Sequence, residues 1–308
     1  MTTTDSIQTY HDQSRQFFEK TAPEKARETG FVKNHSPLNG SVFLLTMVLT
    51  VFAKGSLALQ DLAVMAHRVK QTVKVTGQAF KARYTKVAVT WLQTMLAEAL
   101  RLSLPNAGAD VVPLLRGFTA VKLLDASTIP LPESLKKEFP GCGGVGAKAA
   151  LKLYLVLDWL TGQYNTVRIE AGRKADQNMG EPFLAGSQAG ALWLFDLGFF
   201  KVAFLAAIAA AKSYFLCRLQ TQVQLWCEKA SGSWEKLDLD QLLRRAPRES
   251  FEIVVAVGAK PAVVARLIAV PVPREIANQR RRKAYAKAKK TGARRRKKPW
   301  RAWIGLCC

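Results

Sequence analysis

Two aspartates each close an apolar run: Asp125 after Val121-Lys122-Leu123-Leu124, and Asp196 after Ala191-Leu192-Trp193-Leu194-Phe195. Such runs read as short, buried strands. In an α/β sheet, ligands gather outside the carboxyl ends of the strands, so if the two ends are neighbours the carboxylates converge. Two anions about 4 Å apart repel by roughly 4 kcal/mol at an effective dielectric of 20. A divalent cation removes that repulsion, and Mg2+ is satisfied by one or two carboxylates plus phosphate and water oxygens. Two such ions can clamp the attacking and leaving oxygens of a phosphodiester. The same positions also suit aspartates that merely end strands as turn or cap residues, and spacing does not choose between the two.

The elements that must position these side chains change character along the chain. Residues 1–115 read as helical. Leu44, Leu45, Val48 and Leu49 follow helical spacing, and so do Val87, Leu92, Met95, Leu96 and Leu100. Between those helices lie the polar and basic residues Thr76, Gln78, Lys81, Arg83 and Tyr84. Two short helices followed by a polar, basic one suggest helix-turn-helix DNA binding; a helical bundle with a basic, solvated face fits equally well. Pro105, Asn106 and Gly108 mark a linker. Residues 116–225 then read as strand, hairpin, helix, strand, helix and strand, a mixed α/β sheet. Its first strand ends at Asp125, a loop spans Pro130 to Gly144, and Ala150–Asp158 and Gln163–Ala171 form a hairpin turned at Thr161-Gly162. Its last strand spans Tyr214 to Leu225 with Arg218 inside it. Residues 226–308 add two further strands, Phe251–Val257 and Ala262–Val272, outside the α/β order, and suggest an inserted β subdomain.

Of 308 residues, 49% are hydrophobic, so the chain can bury a core and is not disordered as a whole. Its net charge is +23, a field that attracts polyanions, nucleic acid first and an anionic membrane surface second. From Arg274 to Arg301 there are fourteen Lys or Arg against the single acid Glu275. This block includes Arg280, Arg281, Arg282, Lys283, Arg294, Arg295, Arg296, Lys297 and Lys298, all candidates for phosphate contact. Without it, 32 basic residues still face 22 acidic ones. The apolar run Val42–Ala53 holds two threonines and falls short of the roughly 20 residues a spanning helix needs, so it reads as a core helix and no membrane partner is expected. Met1 to Lys33 is polar and mixed in charge, without the apolar region of a signal peptide, and the five cysteines and three histidines have no ligand spacing, so the expectation is a reducing cytoplasm and no zinc site. Gly141 to Lys148 fails as a phosphate-binding loop because no Ser or Thr follows Lys148.

Several stretches, in order, resemble one family. Leu124-Asp125-Ala126-Ser127-Thr128-Ile129-Pro130-Leu131-Pro132 is similar to the first-aspartate motif of DDE transposases in the insertion-sequence-four group. Phe139-Pro140-Gly141-Cys142-Gly143-Gly144 and Gly172-Arg173-Lys174-Ala175-Asp176-Gln177 also resemble that group, and Asp196-Leu197-Gly198-Phe199-Phe200 resembles its second-aspartate motif. The resemblance covers roughly residues 40–300. It implies an RNase H-like catalytic core interrupted by a β-rich insertion, with an N-terminal helical domain before it. It implies cut-and-paste transposition with Mg2+ or Mn2+ bound by Asp125 and Asp196, on DNA, by a homodimer. It also implies a contact to the DNA backbone, or an ion pair, at Arg218. Asp176 reads as a helix cap in preference to a catalytic residue. The family's third ligand, a glutamate in a Tyr-x2-Arg-x3-Glu-x6-Lys pattern, is absent, since no Asp or Glu follows Glu275. The expectation is therefore a core without its last catalytic helix, impaired in catalysis. The alternative is a non-catalytic DNA-binding fragment that occupies element ends or pairs with full-length enzyme.

Overall fold

The computed structural model describes residues 3–55, 57–102, 113–143, 147–185, 187–220, 222–245, 249–273, 275–279, 282–283, 286 and 302–307. The chain divides into two units, Met1–Asp110 with Thr161–Gln163, and Val111–Leu160 with Tyr164–Cys308. The second unit takes in both the stretch expected as the core and the stretch expected as its insertion.

The first unit is built from α1 (Thr3–Gln16), α2 (Ala22–Glu28), α3 (Gly40–Lys54), α4 (Leu59–Val69), α5 (Gly77–Lys81) and α6 (Lys86–Arg101). Asn39 starts α3 by accepting the Val42 amide on its side chain at 2.9 Å, which satisfies one of the helix's orphan donors. The two threonines that interrupt the apolar run are fully buried, and Thr50 donates to the Thr46 carbonyl at 2.7 Å. Val42, Phe43 and Leu44 pack in the core, whereas Leu49, Val51 and Phe52 are exposed, and among the described residues no single helix is long and apolar enough to cross a membrane. Phe31 stacks on Trp91 at 4.4 Å, and Phe43 and Phe80 complete the aromatic centre. Arg83, from the polar stretch expected to meet DNA, lies over the Phe31 ring at 5.5 Å and donates to Ser36 Oγ at 2.7 Å. It therefore helps hold the fold.

The second unit carries β1 (Val121–Leu131), β2 (Ala149–Asp158), β3 (Gln163–Ala171), β4 (Leu192–Phe195), α7 (Val202–Ala210), β5 (Tyr214–Arg218), β6 (Leu225–Glu228), β7 (Trp234–Lys236), α8 (Leu239–Arg245), β8 (Phe251–Val257), β9 (Val263–Pro271) and β10 (Ala302–Cys307). Among the described residues these strands form one sheet in the order β3-β2-β1-β4-β5-β10-β9-β8-β6-β7. The first five follow an RNase H-like order: β2 is antiparallel to β1, while β4 and β5 run parallel to β1 and to each other. The class is mixed α/β, as the sequence pattern implied. The hairpin turns at Gly162, whose φ of +68° is the left-handed conformation that glycine adopts without strain.

Two expected boundaries are corrected. β1 does not end at Asp125. Parallel pairing with β4 stops at Leu124, but antiparallel pairing with β2 carries the strand on to Leu131. Pro130, expected in a loop, lies in that extension, where β1 has a partner on one side only among the described residues and a missing N–H is tolerated. The expected strand Tyr214–Leu225 is two strands. β5 stops at Arg218, and β6 begins at Leu225 in a different part of the sheet, against β8.

The inward face of β2 carries Ala150, Lys152, Tyr154, Val156 and Asp158, all buried. Its two charges have partners. Asp158 accepts from Lys122 Nζ at 3.0 Å, with side-chain exposures of 8% and 14%, and from the Leu160 amide at 3.1 Å. Removing one member of such a pair strands the other. Lys122→Met should therefore lower unfolding free energy by about 3 kcal/mol in urea denaturation, whereas an exposed pair such as Arg266 with Glu252 contributes under about 1 kcal/mol.

Candidate active site

The register between β1 and β4 runs Val121↔Leu192, Lys122↔Trp193, Leu123↔Leu194 and Leu124↔Phe195. The next residue on each strand is an aspartate. Neighbouring strands lie about 4.8 Å apart, so Asp125 and Asp196 are brought side by side where the parallel pairing ends. The register between β4 and β5 ends at Phe195↔Cys217, so Arg218 takes the next place in the same row. Sequence reasoning singled out all three, and the topology aligns them across three adjacent strands. All three are exposed.

Asp125 is exposed and makes no side-chain hydrogen bond or ion pair among the described residues. Asp196 follows β4 directly and caps the 3-10 turn Leu197–Phe199, its Oδ1 accepting the Gly198 amide at 2.8 Å. Phe199 and Phe200 follow and are buried at 1% and 2% exposure, anchoring the turn in the core with the Tyr154 ring edge-on to Phe199 at 6.1 Å. The motif Asp-Leu-Gly-Phe-Phe thus works as one device, a carboxylate facing outward on a turn pinned from behind.

Asp176 is the residue whose role sequence reasoning missed. It is the first residue of a short 3-10 turn, Asp176–Asn178, whose N-cap position is held by Ala175. Its Oδ1 instead accepts from Lys152 Nζ at 2.9 Å and from the Tyr154 hydroxyl at 3.0 Å. Lys152 Nζ also donates to the Lys174 carbonyl at 2.8 Å. Burial, and after it the Asp176 carboxylate, push the Tyr154 phenol well above its ordinary range, so it remains a donor. A usable signal was present: Lys152 occupies an inward position of an alternating strand, and a buried ammonium requires a partner.

Among the described residues no group of three or more His, Cys, Asp or Glu stands ready to hold a metal ion. Two carboxylates do stand at the site, one uncommitted and one using a single oxygen. That donor set suits Mg2+ or Mn2+, which complete their shells with water and phosphate oxygens. Of the basic block, Arg282 and Lys283 are exposed. Arg280, Arg281, Arg294, Arg295, Arg296, Lys297 and Lys298 lie outside the described residues.

Residues 116–303 match the family model described as the transposase DDE domain. The chain is similar to the transposase for insertion sequence element IS231B of Bacillus thuringiensis subsp. berliner, at 24% identity over 282 residues, covering 87% of this chain and 59% of that protein. It is also similar to the transposase for insertion sequence element IS1151 of Clostridium perfringens, at 24% identity over 272 residues, covering 83% and 57%. The chain thus spans less than two thirds of the length of these relatives. Among solved structures, Ciona intestinalis endonuclease V in complex with a 24mer DNA matches at a TM-score of 0.21 and 12% identity, covering 60% of this chain and 77% of that one. That likeness is too slight to build on.

Proposed function

We propose, on the premise that this chain belongs to the transposase DDE-domain family, that Asp125 and Asp196 serve divalent-metal-dependent cleavage and joining of DNA strands. The observation that carries this reading is the register, which sets Asp125 and Asp196 at adjacent positions where the parallel pairing of β1 with β4 ends. Asp125 and Asp196 would hold Mg2+ or Mn2+. When bound, such an ion lowers the pKa of a coordinated water and offsets charge on the reacting phosphate oxygens. The chemistry has two stages. A water oxygen displaces one ester oxygen of a phosphodiester, leaving a 3′-hydroxyl. That hydroxyl then attacks a second phosphodiester, forming one P–O bond as another breaks. Asp196 is kept in place by its bond to the Gly198 amide, and Arg218, next in the row and exposed, would offer a cation to the DNA backbone. Incubating the chain with plasmid DNA and Mn2+ tests this: nicking should disappear in both Asp125→Ala and Asp196→Ala, and nicking that survives either substitution overturns it.

A second reading, DNA binding without catalysis, is favoured by one observation: the net charge of +23 attracts a polyanion whether or not the two carboxylates act on it. On this reading the chain occupies element ends or pairs with a complete enzyme. Both readings require salt-dependent DNA binding. If the chain neutralises six or more phosphates, affinity for duplex DNA should fall about a thousandfold between roughly 50 and 200 mM salt. Fluorescence anisotropy should show the same fall for Asp125→Ala, because the carboxylate contributes no phosphate contact. Binding that is insensitive to salt would contradict both readings.

A further inference from the structure

We propose that Asp176 is a positioning residue for Asp196, held from behind by Lys152 and Tyr154 and acting through Gly198. The inference rests on the reading that Asp196 works at the site. Asp176 Oδ1 is committed to the Lys152 ammonium and the Tyr154 hydroxyl. Its other oxygen faces the Asp196 turn. A β-carbon built on Gly198 would lie 3.2 Å from Asp176 Oδ2 and 2.9 Å from Asp196 Oδ1. The two carboxylates therefore border the same glycine, and a side chain there would make both of them shift. Lys152 stands at 9% exposure and Tyr154 at 0%, so neither can swing away without opening the core.

The clamp also refers Asp196 to the strand that carries Asp125. Lys152 and Tyr154 lie on β2, which pairs with β1 at Thr128 and Ala126, the latter adjacent to Asp125. One route through backbone pairing and one ion pair thus fixes the two site carboxylates relative to each other. The Lys152 ammonium also neutralises Asp176, so a second carboxylate can sit against the turn without repelling Asp196 at full strength.

The test reads the turn directly. In the full chain with glycines isotopically labelled, hydrogen exchange of the Gly198 amide reports its bond to Asp196 Oδ1. The informative variant replaces both buried partners, Lys152→Met with Asp176→Leu. Removing both members of an ion pair is close to neutral for stability, and the Tyr154 hydroxyl keeps the Lys174 carbonyl at 3.4 Å. If Asp176 positions the turn, protection of the Gly198 amide should fall about tenfold, the equivalent of one net hydrogen bond, while the melting temperature holds. If Asp176 only neutralises Lys152, protection stays at the parent value, and the proposal is overturned. Should the double variant not fold, Tyr154→Phe removes one of the two bonds on Asp176 Oδ1. Unchanged Gly198 protection in that variant overturns the proposal equally. Paramagnetic broadening by Mn2+, compared between the parent chain and Asp196→Asn, reports separately on whether Asp196 binds a cation, so failure of the functional reading is distinguishable from failure of this one.

Discussion

Asp196→Asn should lower the affinity of the chain for Mn2+ by at least about tenfold, since even outer-shell changes at metal sites cost 10- to 100-fold, and should take Mn2+-dependent strand cleavage to background. The substitution isolates charge from architecture. An asparagine oxygen still accepts the Gly198 amide, so the turn behind the site is kept. Asp196→Ala loses the charge and the cap together, and should cost about 1 kcal/mol of stability in addition. Asp125→Asn should match Asp196→Asn in Mn2+ affinity but leave stability untouched, because Asp125 has no side-chain partner among the described residues. Titration calorimetry with Mn2+ and urea denaturation, run on all three variants, separate these effects. Equal Mn2+ binding by the parent chain and Asp196→Asn would remove the basis for the site.

Trp193→Ala should lower unfolding free energy by about 3–5 kcal/mol, the range for large aromatic deletions in a core. Trp193 is 1% exposed on β4, in register with Lys122 on one side and Phe215 on the other. Its ring meets Phe204 of α7 edge-on at 6.4 Å, and its indole N–H donates to Ser187 Oγ at 3.3 Å. Truncation leaves a cavity under the strand whose end carries Asp196. Against a typical total of about 5–15 kcal/mol, that loss takes a large part of the margin. The urea midpoint should drop with little change in slope. Trp193→Phe, which retains a ring against Phe204, should cost clearly less. An unchanged midpoint for Trp193→Ala would mean that β4 is not packed as described.

Which parts of this were legible beforehand follows from what each signal depends on. The strands under Asp125 and Asp196 were readable because a buried parallel strand is a continuous apolar run, and the convergence of their ends follows from a parallel pairing that the α/β order implies. Where β1 stops was not readable, because among the described residues its second half is held by β2 alone, and that pairing depends on a partner about 25 residues away in sequence. The division of Tyr214–Leu225 into two strands was hidden for a similar reason: local propensity is similar on both sides of the break, and tertiary partners decide. Asp176 was misread because a polar residue opening a turn is ordinarily a cap, whereas here a buried lysine on another strand makes the stronger demand.

In hydrogen bonds, β10 is the strand that joins β5 to β9, and so joins the five core strands to the four that follow. Its residues, 302–307, are about 90 positions beyond the β5 residues they pair with. During synthesis, everything before β10 emerges first, so β5 and β9 each wait with an open edge until those six residues leave the ribosome. Open edges recruit other strands, including those of neighbouring nascent chains, and contacts this distant in sequence form slowly. A chain interrupted before residue 302 would present two unpaired edges at once, so its yield of soluble protein should be limited by aggregation before any chemistry at the carboxylates is at issue.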